Sequence, residues 1–350
     1  MRIGMQMSYS GGFAATADRI ADFEAAGLEA VFVGEAYSYD AVSQLGYLAA
    51  RTTTVELVSG ILNVYSRTPA LLAMTAAGLD YVSGGRFTLG VGASGPQVVE
   101  GFHGVPYTAP LATTREVVEI CRTVWRRESL QFDGEHFHVP LDREHGGTGL
   151  GKPLKLINKP IRDRVPMVLA AMGPKNVALA AELFEAWEPL FFFPEGSSAA
   201  FAEALAAGTA KRDPSLGALQ VVADTQLLIT DDPEAEAQAL QQVRSHLALY
   251  VGGMGAQGRN FYNDLVGRYG FEAAAAQVQE LYLQGRKREA EAALPEELVR
   301  GVCLVGSRAR VAERVQAFAE AGVSMVNAQM LGRDHAAQVR SVAVLKELVS

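Results

Sequence analysis

Short apolar runs alternate with helical patterns along most of the chain, and this alternation restricts the possible folds more than any other feature. Strands separated by helices are typical of a parallel sheet, because each crossover returns the chain to the same edge. Eight such strands over 350 residues favour closure into a (β/α)8 TIM barrel over an open, doubly wound sheet. The predicted strands are residues 3–7, 30–33, 55–60, 86–92, 167–170, 187–193, 219–229 and 324–330.

The third predicted helix shows how the sequence marks the ends of these elements. Thr68 suits the N-cap position and Pro69 the first helical position, where proline needs no amide partner. The helix is expected to stop at residues 83–85, because Gly84 and Gly85 tolerate the left-handed backbone of a C-terminal cap.

Two segments interrupt the alternation, and we expect both to be insertions in one barrel domain that spans residues 1–350. The first, at about residues 128–165, contains a predicted β-hairpin and a glycine-rich loop. The second, at about residues 251–300, starts with glycines and continues as helices rich in Ala, Glu and Gln. Each insertion is expected to be a lid over the barrel mouth, or else a solvent-exposed addition or a contact between subunits.

Composition narrows the classes of partner. The net charge of −8 argues against a nucleic-acid partner, which needs clustered Lys and Arg. The sequence contains no run of 18 apolar residues, so we predict no membrane span. The first residues have the pattern of a strand, so we expect no signal peptide. Cys121 and Cys303 are far apart and outside any CxxC motif, which is typical of reduced core residues. We therefore expect a cytoplasmic protein that acts on a small molecule.

The sequence lacks the motifs of several kinds of metal, catalytic and nucleotide-binding site. His136 and His138 are two residues apart, but a metal site would need a third ligand nearby, so we predict no metal. The sequence has neither a GxSxG nucleophile elbow nor a GxxxxGK[ST] phosphate loop. The glycines of residues 90–95 follow the fourth strand without a downstream acidic partner, so they do not form a Rossmann fingerprint.

Three predicted strands end in glycine-containing turns, at residues 58–63, 92–97 and 170–176. A backbone without Cβ atoms lets a ligand approach closely, and in a βα barrel this end of the strands binds ligands. In the third turn Gly173 and Pro174 open a helix whose free amides suit a phosphate. The third turn alone is better explained by an ordinary βα connection, but the three turns together predict a long, flat ligand with an anionic tail.

These turns also carry a resemblance to a known family. The strings at residues 83–87 (SGGRF) and 94–101 (SGPQVVEG) are its most specific part, and similarity extends over nearly the whole chain. The sequence resembles the bacterial-luciferase-like superfamily and, within it, the F420-dependent oxidoreductases. Further matching segments are residues 33–37, 48–52, 66–70, 149–155 and 173–178.

The resemblance implies coenzyme F420, or alternatively FMN, at the carboxyl ends of the strands. Family members carry a cis peptide behind the ring in strand three, and many pair through barrel helices, so it also implies a homodimer. The cofactor-binding residues that it implies are Gly60 and Ile61 behind the ring, Gly92, Ser94 and Gly95 beside it, and Met172, Gly173, Pro174 and Lys175 at the phosphate.

The chain departs from well-known family members at the acid–base positions. Many carry a histidine after strand two, where this chain has Ala36, and a glutamate after strand four, where residues 95–97 form a Gly-Pro-Gln turn. The alcohol-oxidation mechanism of those members is therefore not carried over. Glu35, Tyr37 and Asp40, near the end of strand two, are our candidate catalytic residues, although Glu35 suits a structural carboxylate equally well.

The favoured function is hydride transfer between the C5 atom of F420 and a small organic substrate, such as an activated alkene, imine, carbonyl or alcohol. An FMN-dependent monooxygenase and a non-catalytic F420-binding protein remain alternatives. A barrel aldolase is disfavoured because the predicted strands carry no candidate Schiff-base lysine. The aromatic residues predicted near the mouth are Tyr9, Phe13, Tyr37, Tyr65, Phe102, Phe191, Phe192 and Phe193, the last three being equally suited to the core.

Overall fold

The computed structural model describes residues 1–8, 11–255, 258, 260–332 and 334–350, so Tyr9 lies outside the described residues. Within these ranges the strands are β1 (Arg2–Met7), β2 (Ala30–Val33), β3 (Glu56–Ser59), β4 (Leu62–Asn63), β5 (Phe87–Gly92), β6 (Phe132–Asp133), β7 (His138–Val139), β8 (Met167–Ala170), β9 (Ala186–Glu188), β10 (Gln220–Ile229), β11 (Leu304–Gly306) and β12 (Met325–Met330).

The helices alternate with these strands. They are α1 (Phe13–Ala17), α2 (Ile20–Ala25), α3 (Ala41–Arg51), α4 (Pro69–Val82), α5 (Pro96–Val99), α6 (Pro110–Trp125), α7 (Pro174–Leu183), α8 (Pro194–Thr209), α9 (Pro233–Ala248), α10 (Phe261–Val266), α11 (Glu272–Leu283), α12 (Lys287–Ala292), α13 (Glu296–Gly301), α14 (Arg308–Glu320) and α15 (His335–Val349). A 3-10 turn covers Pro214–Leu216, and π-helical turns cover Leu249–Gly253 and Gly267–Phe271.

Eight parallel strands close into a barrel, which confirms the predicted (β/α)8 fold. Their order is β1, β2, β3, β5, β8, β9, β10 and β12, and β12 returns to pair with β1. Each pairing in this ring is parallel, as strand–helix alternation predicts. All the carboxyl ends therefore meet at one mouth.

Two strands differ from their predicted bounds for local reasons. The third strand breaks after β3, and β4 then pairs with β5 across a cis peptide between Gly60 and Ile61. The predicted strand at residues 187–193 stops at Glu188, because Pro189 has no amide hydrogen to continue a ladder. Phe191 then takes a positive φ of 55°, and Phe193 begins α8.

The core has two layers. Between the sheet and the helices, Trp125 is buried and its indole Nε1 donates to the Ala73 carbonyl at 3.0 Å, which ties α6 to α4. Inside the barrel, a separate apolar cluster is formed by side chains from six strands, two of them from β2. It consists of Ala30, Phe32, Val58, Val168, Ala186, Val222 and Met325.

The cap residues of α4 behave as the sequence predicts. Thr68 Oγ1 accepts a hydrogen bond from the Leu71 amide at 3.3 Å, which satisfies one of the free donors of the first turn. At the other end Gly84 and Gly85 have φ values of 69° and 88°. This left-handed backbone turns the chain directly into β5.

The first insertion contains the predicted hairpin, formed by β6 and β7. Glu116 of α6 anchors the hairpin, because its carboxylate accepts hydrogen bonds from the amides of Glu135, His136 and Phe137 at 2.7–3.1 Å. The hairpin is thus fixed to the helical layer of the barrel through one buried carboxylate.

The described part of the second insertion packs on the loop after β9. Tyr269 is buried and its Oη donates to the Phe191 carbonyl at 3.0 Å. Phe191, Phe192 and Phe193 are at most 6% exposed, so these three residues belong to the core and do not line the mouth. Among the described helices, none has the length and hydrophobicity needed to cross a membrane.

Candidate active site

The ends of β3 and β5 approach each other unusually closely. Ser59 Oγ donates to the Gly90 carbonyl at 2.9 Å and accepts from the Gly90 amide at 2.8 Å. A Cβ atom at Gly90 would overlap the Ser59 carbonyl oxygen. The glycine is therefore required by strand packing immediately below the break at Gly60.

The segment after β3 is held from the β2 side. The Gly60 amide donates to the Val33 carbonyl at 2.8 Å, and the Glu35 amide donates to the Ile61 carbonyl at 3.1 Å. A Cβ at Gly34 would lie 2.6 Å from the Gly60 carbonyl oxygen, so only glycine fits there without displacing the backbone. Residues 60 and 61 are thus fixed at the barrel mouth, where the cofactor ring is predicted.

The space above Gly92 is occupied by a neighbouring side chain. A Cβ at Gly92 would lie 3.0 Å from Ile61 Cδ1, so the two predicted site residues come together and Gly92 accommodates Ile61 directly. Ser94 has a positive φ of 56°, and Gly95 caps the four-residue helix α5 in an extended conformation. The turn at 94–95 therefore borders the mouth beside Ile61.

Asn63 carries an unpaired donor that the sequence motifs did not indicate. It lies on β4 opposite Gly92 and is only 3% exposed. Its Oδ1 accepts from the Tyr65 amide at 2.9 Å, but Nδ2 has no hydrogen-bond partner among the residues that the structure describes. A buried donor without a partner costs about 1–3 kcal/mol, so this amide suits an acceptor atom of a bound molecule.

The start of α7 has the features of an anion site. Gly173 is its N-cap with φ −71° and ψ 143°, and Pro174 occupies the first helical position. A Cβ atom at Gly173 would meet no other atom of the described ranges within 4 Å, so the space beside the first-turn amides is open. Met172 is half-buried, and Lys175 is exposed in the first turn.

A second cation lies beside this loop. Arg268, from the second insertion, donates from Nη2 to the Met172 carbonyl at 2.7 Å and from Nη1 to the Ala200 carbonyl at 2.9 Å. Burial lowers the pKa of its guanidinium. Because Arg268 is 96 residues from Met172 in sequence, local motifs gave no signal of this contact.

The predicted catalytic carboxylates are engaged in structural contacts. Glu35 forms a two-point ion pair with Arg67, at 2.6 and 2.9 Å, and accepts from the Ala41 amide at 3.0 Å. Hydrogen bonding to Glu35 raises the pKa of Arg67. Asp40 caps α3 by accepting from the amides of Val42 and Ser43. Although burial acts to raise the pKa of Asp40, these hydrogen bonds hold it below its usual value.

Tyr37 has no comparable anchor. Its side chain is 70% exposed, and its ring lies 6.3 Å from that of Phe102, which is 65% exposed. The structure therefore joins Glu35 and Asp40 through Arg67 but leaves Tyr37 at the outer rim. A catalytic role for Glu35, Tyr37 or Asp40 stays a prediction.

We expect Glu35→Gln to lower the free energy of unfolding. The Glu35 and Arg67 side chains are only 9% and 14% exposed, so Arg67 would keep a poorly solvated charge without its anionic partner. The expected loss in the free energy of unfolding is about 2 kcal/mol, measured by urea denaturation. Glu128→Gln, which breaks the exposed pair with Arg126, is the control and should leave the curve unchanged. Equal curves for both variants would contradict a structural role for Glu35.

Two tyrosines close one side of the mouth. The Tyr65 and Tyr107 rings lie 5.4 Å apart. Tyr65 Oη donates to the Thr108 carbonyl at 2.6 Å, and Tyr107 Oη donates to the Ser94 carbonyl at 3.2 Å. Burial raises the pKa of both hydroxyls. These contacts fix an aromatic wall next to the turn at residue 94.

A polar cluster inside the barrel was also missed by the sequence motifs. Asn327 Nδ2 donates to Asp224 Oδ1 at 2.7 Å, Gln6 Oε1 at 3.0 Å and Glu188 Oε1 at 3.1 Å. Burial raises the pKa of Glu188 well above its usual value and that of Asp224 to about 7. The available signal was a carboxylate within a predicted barrel strand, Glu188 at the end of β9 and Asp224 in the middle of β10.

Comparison with known proteins agrees with this geometry. Over residues 1–325 the sequence matches the family described as luciferase-like monooxygenases. The chain belongs to that family. This confirms the resemblance carried by the glycine-rich turns at residues 83–87 and 94–101.

Relatives of this luciferase-like barrel include F420 enzymes. A Mycobacterium tuberculosis protein, whose name assigns it to the coenzyme F420-dependent oxidoreductases, is 40% identical over 350 residues and 99% of each chain. The F420-dependent tetrahydromethanopterin reductase of Methanopyrus kandleri has the same fold, with a TM-score of 0.79, 20% identity and coverage of 99% and 98%. An F420-dependent secondary alcohol dehydrogenase, solved with an F420–acetone adduct, gives a TM-score of 0.75 at 18% identity, with 100% and 99% coverage.

The residues at the barrel mouth of this luciferase-like chain are suited to bind a flat ring with a phosphate tail. The unpaired Asn63 amide lies opposite Gly92 at the mouth, and the open amide turn at Gly173 ends a strand of the same barrel. Arg268 and Lys175 add positive charge near that turn. In the described part of the chain, no group of three or more His, Cys, Asp or Glu side chains is placed to hold a metal ion.

Proposed function

We propose that the protein is a coenzyme F420-dependent oxidoreductase. It would transfer a hydride between the deazaflavin C5 and a small organic substrate: an activated alkene, imine, carbonyl or alcohol. The observation that carries the proposal is the buried, unpaired Nδ2 donor of Asn63 beside Gly60 and Ile61, which calls for a ring acceptor. The name of the 40% identical relative supports F420 over FMN as that ring.

The bound deazaflavin would supply two-electron hydride chemistry, and the chain would supply its orientation. We assign Gly60, Ile61 and Asn63 to the ring, with Gly92, Ser94 and Gly95 supporting that side of the mouth. Met172, Gly173, Pro174 and Lys175 would receive the phosphate through backbone amides and positive charge. Glu35 and Asp40 would hold the rim in place through Arg67, with Tyr37 at its edge.

The test is titration of the purified protein with F420 and with FMN side by side, followed by absorbance and fluorescence. We expect F420 to saturate the protein and FMN to bind more weakly, and Asn63→Leu to weaken F420 binding. Tighter binding of FMN, with oxygen consumption in the presence of reduced flavin, would favour the monooxygenase alternative.

Turnover distinguishes an enzyme from a cofactor-binding protein. Reduced F420 is offered with a panel of cyclic enones, imines and ketones, and its oxidation is followed by absorbance. We expect at least one class to be reduced. Saturable F420 binding without turnover of any class would favour the non-catalytic alternative, and binding of neither ring compound would exclude all three functions.

We further propose that residues 1–350 act as one domain, as a homodimer in the cytoplasm, without a nucleic-acid partner. The dimer is supported by the outer face of α4, where four apolar side chains are exposed. They are Leu71, Met74, Tyr81 and Val82, with exposures of 48%, 53%, 71% and 57%. Apolar patches of this kind commonly mark contacts between subunits.

We expect Met74→Asp to convert the homodimer to a monomer, because a charge at the centre of this face would be buried on association without a partner. Light scattering coupled to gel filtration measures the mass. Leu283→Asp is the matched control, since Leu283 is an equally exposed apolar residue (55%) on α11. A wild-type monomer, or a dimer that survives Met74→Asp, would contradict this assignment.

A further inference from the structure

The acidic cluster inside the barrel joins four neighbouring strands, β9, β10, β12 and β1. In the parallel register, Asn327 of β12 pairs with Gly4 of β1 on one side and with Asp224 of β10 on the other. Glu188 reaches the same amide from the end of β9. The four polar side chains (those of Gln6, Glu188, Asp224 and Asn327) therefore meet at one point inside the ring of strands.

This cluster must hold a proton. Glu188 Oε1 and Asp224 Oδ1 accept from the same Asn327 nitrogen, at 3.1 and 2.7 Å, and two carboxylates this close together inside the barrel do not both stay ionised. The Asn327 amide has two hydrogens for three acceptor oxygens, so a further hydrogen is needed to satisfy them. Asn327 is 1% exposed, and its Oδ1 has no partner within the described ranges.

Among the residues that the structure describes, no cation is paired with Glu188 or Asp224. The charged or titratable group that faces each carboxyl is the other carboxyl, within the part of the chain that the structure describes. The neighbouring strands present Gln6 from β1, Asn327 from β12 and Ala170 from β8, and none of these side chains titrates. Burial and mutual repulsion therefore favour the protonated state, and the pair keeps its proton at neutral pH.

The cluster reaches the predicted ring site. Gln6 Oε1 lies 3.4 Å from a Cβ position built at Gly60, and Gln6 Nε2 lies 3.4 Å from one built at Gly34. One layer nearer the mouth, Gln226 Nε2 donates to Gln329 Oε1 at 3.1 Å. Glu188 is buried, whereas Asp224 is partly exposed, so Asp224 is the more accessible carboxyl of the pair.

Other acids near the mouth are committed elsewhere. Glu35 is paired with Arg67, and Asp40 accepts hydrogen bonds at the start of α3, so both carboxylates are engaged in structural contacts. Neither is suited to giving a proton. Within the described ranges, the barrel pair has no such cationic or helix-capping partner, and Gln6 connects it to the side of the predicted ring.

We propose that the Glu188–Asp224 pair is the proton donor of the reductive reaction, with Asp224 as the catalytic residue and Glu188 as the positioning residue that shares its proton. This inference rests on the proposed F420-dependent function. A hydride adds to the substrate carbon, and the π electron pair of the C=X bond moves to X. As the X–H bond forms, the Asp224 O–H bond breaks, and the pair recovers a proton from water. In the oxidative direction the pair accepts the proton from X–H.

The proton itself is tested without cofactor. Infrared difference spectra of the unliganded protein at pH 7 should contain the C=O band of a protonated carboxyl group. Glu188→Gln and Asp224→Asn should each remove or shift the band, whereas Glu203→Gln, which removes an exposed carboxylate, should leave it unchanged. No such band in the wild type, or a band unchanged in both pair variants, would overturn the proposal.

Folding stability provides a second readout that needs no cofactor. Because the pKa of both carboxyls is raised in the folded state, the folded protein binds protons more tightly than the unfolded chain. The wild type should therefore lose this part of its stability as the pH rises from about 4 towards the pKa of Asp224, near 7. Urea denaturation at several pH values should show a smaller loss in Glu188→Gln and in Asp224→Asn.

The kinetic experiment uses reduced F420 and cyclohexenone as the activated-alkene probe. Asp224→Asn should lower kcat by about 100-fold or more while the Kd for F420 changes little, because the lost interaction is proton transfer. The wild-type rate should fall as the pH rises above about 7, and Glu188→Gln should shift that midpoint, since Asp224 loses the carboxyl that shares its proton. A wild-type rate and pH profile in Asp224→Asn would overturn the proposal.

Failure of the proposed function is distinguishable from failure of this inference. If the wild type does not bind F420, or binds it without turning over any class of the substrate panel, the proposed oxidoreductase function is contradicted. The infrared and urea measurements then decide whether the pair holds its proton. If F420 binds and is turned over, the variants decide the role of Asp224 directly.

Discussion

Gly173→Asp is expected to weaken F420 binding by at least about 100-fold without destabilising the fold. The free amides at the start of α7 carry a partial positive charge that attracts an anion, and an aspartate would place its own carboxylate there. Gly173 has φ −71° and ψ 143°, an ordinary extended conformation, so any L-residue can take its place. Around its Cβ position, the described residues leave the space open.

The two effects of this substitution have opposite signs. Aspartate is a better N-cap than glycine by a few tenths of a kcal/mol, so urea denaturation should show equal or slightly higher stability. The same carboxylate would repel the phosphate and occupy its amide donors. Loss of affinity with no loss of stability separates a ligand site from a structural turn.

Gly173→Asn is the matched control because asparagine has nearly the same shape without the charge. It should reduce the affinity for F420 much less than aspartate does, and the difference should shrink at high salt as charge repulsion is screened. Fluorescence titration gives both constants. Equal affinity for F420 in the aspartate variant and the wild type would place the phosphate elsewhere.

The strand–helix pattern predicted the barrel because each element carries its own signal. Strand 167–170 and the caps of α4 appear where local apolar runs, Thr68 and the Gly-Gly pair indicate. The turn at Gly173, where we propose the anion site, is equally local, since one βα connection contains all its parts. Backbone turns of this kind can be predicted from sequence.

The polar contacts between residues far apart in sequence could not be predicted in this way. Arg268 contacts Met172 across 96 residues, and Asn327 contacts Glu188 across 139. Such contacts exist only once the barrel closes, and neither residue lies in a local motif. Conversely, Glu35 and Asp40 look catalytic in sequence because an acid after strand two suits that role, yet Arg67 and the α3 amides occupy them.

Gly90→Ala is expected to have the largest effect on stability, because closure of the barrel packs the strands on either side of this residue tightly together. A single methyl group at this position would overlap the Ser59 carbonyl oxygen, and the backbone of two hydrogen-bonded strands cannot rotate away as a side chain would. Separating them would also break the two hydrogen bonds of Ser59 Oγ with Gly90. We expect a loss of about 3 kcal/mol or more in the free energy of unfolding.

Gly46→Ala is the control, because Gly46 lies within α3 and the described residues place no atom within 4 Å of its Cβ position. It should stabilise the protein by up to about 1 kcal/mol, since alanine is the better helix former. Urea denaturation of both variants measures the contrast. Because Gly90 lies one strand away from the Gly60–Ile61 turn, Gly90→Ala should also weaken F420 binding, whereas Gly46→Ala should not. A Gly90→Ala variant within about 0.5 kcal/mol of the wild type would show that this strand contact is looser than the structure indicates.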